Sequence, residues 1–329
     1  MTTVTVDTPT GAAAPARGQK PLTEGNQSKG TLIGLWAFVV LPFLALFAAV
    51  PVAWGGFLGW TDVAIFAVMY VVTGLGITVG YHRYLTHSSF KATRWLRVTL
   101  AVSGAMAVQG SPTQWVADHR RHHQYSDLED DPHSPWRFGN SVKGLAKGLF
   151  HAHVGWLFAR ELSNRARFAP DLLADKDIQK VDKLFGLLSL TTAVAPGIVG
   201  GLVTWSWQGA LTAFFWAGLI RIGLLHHVTW SINSICHVYG ERPFEMREGD
   251  KASNFWPLAI LSFGESWHNL HHSDPTSARH GVLRGQIDIS ARVIWFFEKF
   301  GWATNVKWAK EDRLRSKMVD RDAQPKLAR

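Results

Sequence analysis

Cysteine and charge are both scarce in this sequence. Cys236 is the single cysteine among 329 residues. One thiol excludes an internal disulfide and a metal site built from several thiolates, and it fits a reducing compartment. Charged residues account for 18% of the chain against 47% hydrophobic residues, which is apolar for a soluble protein of this length. The composition favours a membrane-embedded part joined to a substantial polar part.

Four apolar runs are long enough to cross a bilayer, which takes about 20 helical residues. They lie at about 31–53, 61–80, 184–204 and 209–228. A fifth run, 96–108, is too short to span comfortably, so we expect it in the protein core or along the membrane interface. Four spans then form two hairpins, which leaves all histidine-rich segments on one side of the membrane.

The ends of the chain are expected to be polar tails around one domain of residues 31–302. Residues 1–30 lack periodicity and predict a disordered cytosolic tail, with no cleaved signal peptide because the first apolar run begins too late. Residues 303–329 predict a charged tail. The two hairpin turns, 54–60 and 205–208, contain no Lys or Arg, so the positive-inside rule places both termini and the histidines in the cytosol. The net charge of +9 fits that orientation, and no nucleic-acid recognition motif accompanies it.

Three short segments hold eight of the fifteen histidines: HRYLTH at 82–87, HRRHH at 119–123 and HNLHH at 268–272. Each HxxHH segment places imidazoles at i, i+3 and i+4, which is one face of a helix. Zinc normally takes four ligands, so eight imidazoles indicate two metal ions. His237 lies four residues after Asn233 and adds a ninth imidazole, with Asn233 as a ligand directly or through water. Imidazole suits iron, copper, nickel and zinc alike, so these residues do not name the metal.

Carboxylates near the histidine segments are candidates to accept hydrogen bonds from the ring N–H groups; helix capping or surface charge is the alternative. They are Asp118, Asp127, Glu265 and Asp274. Three further histidines are predicted not to be ligands: His133, His151 and His280.

Taken in order, these motifs resemble the stearoyl-CoA (delta-9) family of membrane acyl desaturases. The resemblance covers about residues 32–302, and also includes DPH at 131–133, HVGWL at 153–157 and TWSINSICH at 229–237. It implies an all-α membrane protein with four transmembrane helices in two hairpins and a helical cytosolic domain that holds a di-iron site. The implied ligands are His82, His87, His119, His122, His123, His237, His268, His271 and His272, with Asn233 as a tenth contact through water.

The resemblance also implies the reaction and the substrate tunnel. Two iron ions and dioxygen would remove two vicinal hydrogens from a long saturated acyl chain at the delta-9 position, leaving a cis double bond. The glutamine, tryptophan and threonine that shape a bent tunnel in the family correspond to Gln109, Trp115 and Thr229. We expect the tunnel to end near Tyr70 and Gly74, where side-chain size would limit chain length.

The acyl carrier is less well defined, because basic and polar family residues are missing here. Where the family has an arginine just before the second histidine segment, this sequence has Ala117. The family's Arg-Lys pair after HVGWL is replaced by Arg160-Glu161, and its asparagine after the tunnel glutamine is replaced by Gly110. Basic residues that remain for a phosphate-binding rim, with solvated surface as the alternative, are Arg120, Arg121, Lys143, Lys147 and Arg160. We favour acyl-CoA as substrate, and acyl-lipid or acyl-carrier-protein substrates stay open.

Two other functions are alternatives to desaturation. A di-iron lipid hydroxylase follows the same histidine pattern, whereas a metal transporter is disfavoured because no acidic or histidine pair lies mid-span. The sequence contains no fused haem domain and no dinucleotide fingerprint such as GxGxxG. We therefore expect electrons from a separate ferredoxin- or cytochrome-type protein with its NAD(P)H reductase.

Overall fold

The computed structural model describes residues 20–320 and is mostly helical. Its helices, in chain order, are α1 (Lys29–Trp54), α2 (Trp60–Thr86), α3 (Arg94–Ala105), α4 (Pro112–Tyr125), α5 (Val142–His153), α6 (Arg165–Phe168), α7 (Pro170–Ala174), α8 (Lys176–Thr204), α9 (Trp207–His237), α10 (His268–Ser273), α11 (Ile289–Lys299) and α12 (Glu311–Ser316). Four short strands form two antiparallel pairs: β1 (Thr23–Asn26) with β3 (Glu161–Ser163), and β2 (Lys91–Ala92) with β4 (Ala303–Thr304).

Helices α1, α2, α8 and α9 are long and apolar enough to cross a membrane, which confirms the predicted fold class. The predicted spans identify these helices but underestimate their lengths. Helix α2 continues past residue 80 to Thr86, α8 begins at Lys176, and α9 continues past residue 228 to His237. Hydropathy marks only the apolar part of a helix, whereas backbone hydrogen bonding continues through the polar turns that carry histidines. The short fifth run forms α3, which packs along α2 and has only 12 residues.

The end of α2 is π-helical from Gly76 to Thr86, and this winding explains the spacing of the first histidine segment. His82 and His87 are five residues apart, which would place them about 140° apart around an ordinary α-helix. In a π-helix the backbone hydrogen bond joins residues i and i+5, so such residues lie on nearly the same face. The two imidazole rings are 5.0 Å apart, and both turn toward the interior.

Both predicted tails are partly ordered, which corrects their boundaries. Strand β1 pairs with β3, so the predicted disorder is wrong from about residue 20, while residues 1–19 lie outside the described part. At the other end, Leu314 of α12 and Met318 are buried against Phe244, so the charged tail does not begin at 303; residues 321–329 also lie outside the described part. Strands and helices of two to six residues are too short to show a hydrophobic periodicity in the sequence.

Candidate metal centre

The nine histidines predicted as ligands lie in two adjacent buried clusters. The five-histidine cluster consists of His82, His87, His119, His123 and His271, and the four-histidine cluster consists of His122, His237, His268 and His272. Helix α4 contributes to both clusters, since His119 and His123 point to the first and His122 to the second. Helix α10 divides in the same way, with His271 in the first cluster and His268 and His272 in the second.

Within each cluster the ring nitrogens converge at the spacing of ligands around one metal ion. His271 Nε2 lies 2.8 Å from His123 Nε2 and 2.9 Å from His82 Nε2. In the four-histidine cluster, His268 Nε2 lies 3.1 Å from His237 Nε2 and 3.0 Å from His272 Nε2. A metal–nitrogen bond of about 2.1 Å places neighbouring ligands of an octahedral ion about 3 Å apart. The observed separations therefore fit metal coordination.

Four carboxylates orient the clusters from outside. Glu265 contacts His82 Nδ1, and His122 Nδ1 is 2.9 Å from Asp131. His237 Nδ1 and His272 Nδ1 are each 2.8 Å from a carboxylate, Asp127 and Asp250 respectively. A carboxylate on Nδ1 fixes the proton there and leaves the Nε2 lone pair facing the cluster.

Burial favours the neutral form of several clustered imidazoles, whereas the carboxylate of Asp127 raises the pKa of His237 despite its burial. Desolvation lowers the pKa of His119, His123, His268 and His271 well below the usual histidine range, and neighbouring imidazoles lower it further. Neutral imidazoles are the form that binds metal. The Nε2 atoms of His87 and His122 are buried without any hydrogen-bond partner, which is costly unless an ion accepts the lone pair. The described residues thus fit two resident metal ions.

Only two of the four carboxylates predicted for this role contact the clustered histidines. Asp127 and Glu265 do so, whereas Asp118 bonds to Gln114 and Asp274 pairs with Arg313. Sequence reasoning missed Asp131 and Asp250. Asp131 belongs to the DPH motif, whose proximity to the second histidine segment was the available signal. Asp250 lies in a loop with no such signal.

His133 and His280 lie beside the clusters rather than inside them. The His133 ring is 4.3 Å from that of His122, and its Nδ1 is 3.8 Å from Asp131. His280 Nδ1 is 3.6 Å from Glu265, which already contacts His82. Each thus lies near a carboxylate that contacts the Nδ1 atom of a clustered histidine. His151 is further away and bonds to the carbonyl of Pro132.

An apolar cavity runs beside the histidines. Gln109, Trp115, Thr229 and Asn233 all line it, as do His82, His119 and His268. Gln109 Nε2 donates to Thr229 Oγ1 at 3.0 Å, and the Trp115 ring is 4.9 Å from the His119 ring. The structure therefore brings three of the five predicted tunnel residues, Gln109, Trp115 and Thr229, together next to the clusters, and Asn233 lines the same cavity.

Tyr70 and Gly74 do not line this cavity, contrary to the expected position of the tunnel end. The Phe263 ring stands between them and the cavity: it packs 5.7 Å from the Tyr70 ring, and a Cβ added at Gly74 would overlap it. The predicted tunnel end is thus behind Phe263. The loop that carries Phe263 joins α9 to α10, and no sequence pattern indicated that it folds back onto α2.

Two of the residues predicted for the phosphate-binding rim are engaged in contacts within the protein. Arg120 donates to the backbone carbonyls of Leu85, Thr86 and Phe168 and pairs with Asp171, so it braces α4 against its neighbours. Arg121 donates to the carbonyl of Asp130. Arg160 is exposed beside β3. Of the five rim candidates, Lys143, Lys147 and Arg160 are exposed to solvent.

Comparison with known proteins agrees with this geometry. The model of the fatty acid desaturase family matches residues 58–282. The chain belongs to the fatty acid desaturase family. The match includes all three histidine segments, both halves of the metal centre and the residues that line the cavity. Membership of this family also identifies the protein as an oxidoreductase of lipid metabolism.

Similar proteins align with most of the length of this desaturase. The chain is 37% identical to a hex-5-enoyl-[acyl-carrier protein] acetylenase of Moorena producens, over 89% of this chain and 92% of the relative. It is 36% identical to an sn-1 stearoyl-lipid 9-desaturase of Anabaena variabilis, over 83% and 92%. It is 35% identical to delta-9 acyl-lipid desaturase 1 of Arabidopsis thaliana, over 91% and 90%. The family and its delta-9 branch are thereby shown.

Proposed function

We propose that this desaturase introduces a cis double bond at the delta-9 position of a long saturated acyl chain carried by a membrane lipid, at a centre of two irons. The observation that supports it most strongly is the pair of histidine clusters beside an apolar cavity. The nine histidines would hold the irons, with Asn233 as a contact through water. When bound, an iron pair supplies oxygen activation and hydrogen abstraction.

The reaction balances with two external electrons. One –CH2–CH2– unit, one dioxygen, two electrons and two protons give one –CH=CH– unit and two waters. The chain's own contribution is geometric, because a saturated chain offers no polar group near the reacting carbons. The cavity wall must hold one C–C bond next to the clusters and exclude water. Trp115 lies 6.1 Å from His82 and forms that part of the wall, and the Gln109–Thr229 hydrogen bond fixes the turn of the channel.

A lipid-linked substrate is favoured over acyl-CoA for two reasons. Arg120 and Arg121 are occupied by backbone carbonyls, so the basic rim expected for CoA phosphates is reduced to Lys143, Lys147 and Arg160. Two of the relatives described above are named for desaturation of acyl-lipids. Acyl-CoA and acyl-carrier protein are the competing carriers.

Electrons would come from a separate ferredoxin- or cytochrome-type protein with its NAD(P)H reductase, on the cytosolic side of the membrane. Residues 134–160 contain four Arg or Lys residues and no Asp or Glu, which suits an acidic partner. Within this segment Trp136 Nε1 donates to the carbonyl of His237 at 3.0 Å. This contact links the segment directly to the four-histidine cluster.

The test is product analysis in a host membrane that lacks other desaturases, with an isotope-labelled saturated chain supplied. Desaturation removes two hydrogens from the chain, whereas a lipid hydroxylase would add one oxygen. Purified enzyme should then be offered the same acyl chain as a lipid in vesicles, as acyl-CoA and as acyl-carrier protein. Product from the lipid alone supports the proposed carrier. A hydroxylated product, or turnover of acyl-CoA alone, would refute the corresponding part of the proposal.

A further inference from the structure

Two polar side chains are fully buried in the apolar part of α9. Arg221 is 0% exposed and His226 is 2% exposed. Arg221 donates to the carbonyl of Ala217 on its own helix and to Thr192 on α8. Neither residue belongs to the two histidine clusters or lines the apolar cavity. Polar groups at this depth are costly, and they are kept where they serve a functional site.

Both side chains also reach the turn that joins α3 to α4. Arg221 Nη1 donates to the carbonyl of Met106 at 3.4 Å. His226 Nε2 donates to the carbonyl of Ala107 at 3.1 Å, since a carbonyl oxygen can only accept. His226 Nδ1 is buried without a hydrogen-bond partner. The polar function of His226 is therefore directed at this turn.

The turn itself has a strained backbone at Val108. This residue has a φ of 60°, a left-handed conformation that is uncommon for a β-branched side chain. Its N–H donates to the carbonyl of Ala105 at 3.1 Å, so Val108 ends α3 in a position where glycine is usual. Such a conformation persists only where the surroundings fix it, and it tends to occur at functional sites. The two donors from α9 are contacts of this kind.

The residue after Val108 is Gln109, which lines the apolar cavity. Gln109 Nε2 donates to Thr229 Oγ1 at 3.0 Å, and Thr229 donates in turn to the carbonyl of Leu225. Thr229 follows His226 by three residues, so both side chains lie on the same face of α9. One helix face thus holds the backbone before Gln109 and also its side-chain amide.

We propose that His226 is a positioning residue that fixes Gln109, and with it the bend of the acyl channel, relative to the metal centre; this rests on the proposed desaturation. The bend determines which C–C bond lies beside the histidine clusters. Without the hydrogen bond to Ala107, the strained turn relaxes and Gln109 occupies more than one position. His226 therefore controls how precisely the double bond is placed, although it does not contact the substrate.

The test locates the double bond in products from one labelled saturated chain, supplied to a host membrane that lacks other desaturases. His226→Leu removes the donor and keeps a side chain of similar volume. The fraction of product with the double bond displaced by one carbon should rise roughly fivefold, which corresponds to about 1 kcal/mol, the usual contribution of one hydrogen bond. His226→Gln should restore wild-type placement, because its amide nitrogen takes the place of Nε2 and donates to Ala107.

His227→Leu is the matched control. His227 is the next residue of α9, but its Nδ1 lies 2.9 Å from His153 Nε2 on α5, and it does not line the cavity. Its loss should leave the placement of the double bond unchanged. Gln109→Leu should itself displace the double bond, and adding His226→Leu should displace it no further, because both changes act on the same bend.

Iron content and thermal unfolding identify the folded variants, and His226→Met is scored if His226→Leu does not fold. Wild-type placement in a folded His226→Leu or His226→Met protein overturns the proposal. An equal displacement in His227→Leu or His226→Gln overturns it too, as does a further displacement in the double variant. Wild-type protein that desaturates no saturated chain would overturn the proposed function instead.

Discussion

In four histidines of the metal centre, the Nδ1 atom contacts a carboxylate that lies outside the clusters. Each carboxylate therefore controls the orientation of the Nε2 atom on the same ring, which is the atom that faces the metal site. Asp250 is the simplest case, since it contacts His272 Nδ1 and the backbone N–H of Ala252. Its role could not be predicted from the sequence, because Asp250 is 22 residues from His272 and lies in an irregular loop. The nine histidines themselves were predictable, because their spacing within each segment is local.

We predict that Asp250→Asn weakens metal retention by about tenfold to a hundredfold, because the His272 imidazole loses the charge that orients it. The measurement is iron content after graded chelator treatment of purified protein. Asp274→Asn is the matched control: Asp274 follows the same histidine segment but pairs with Arg313, and it should retain iron as wild type does. Equal iron retention in the two variants would contradict the role of Asp250.

His122 and His271 belong to different clusters and test the two-metal centre. We predict that His122→Ala and His271→Ala each abolish desaturation and lower the iron content below about two per chain, because each removes a nitrogen from one ion only. His151→Ala is the control, since His151 bonds to a backbone carbonyl instead. Full activity with unchanged iron in either cluster variant would refute the assignment.

At the scale of elements, the membrane helices were predictable and their polar extensions were not. Hydropathy identifies α2 and α9 but stops before the turns that carry His82 and His237, which become buried only when the two clusters assemble. The π-helical end of α2 likewise depends on tertiary contacts. Pairing of β1 with β3 joins segments about 140 residues apart, and such a short strand has no periodicity to detect.

Arg120 was predicted to bind phosphate, but its contacts with neighbouring helices indicate a role in stability. The side chain connects α4 to the last turn of α2 and to α7 through carbonyls and Asp171. We predict that Arg120→Gln lowers the free energy of unfolding by about 1–3 kcal/mol, with the Asp171 pair contributing little because it is partly exposed. Thermal unfolding in detergent measures this, with exposed Arg160→Gln as control. Unchanged stability together with a raised KM for acyl-CoA would restore Arg120 to the carrier site.

At the scale of the whole molecule, charge is distributed unevenly along the chain. The hairpin turns lack Lys and Arg, while residues 134–160 are basic without any acid. The exposed face of α5 carries Lys143 and Lys147 between the exposed apolar residues Val142 and Phe150. A basic face with apolar flanks close to a metal centre suits an acidic electron carrier.

Charge reversal on α5 tests this docking surface. We predict that Lys143→Glu with Lys147→Glu slows reduction of the metal centre by an acidic ferredoxin about tenfold at low ionic strength. The difference should disappear near 1 M salt, where the Debye length falls to about 3 Å. Lys176→Glu with Lys180→Glu is the matched control, because these exposed lysines have the same i, i+4 spacing on α8. Reduction by dithionite, which needs no docking, should be equal in all three proteins. If both double variants slow ferredoxin equally, the effect is one of net charge, and α5 is not the docking surface.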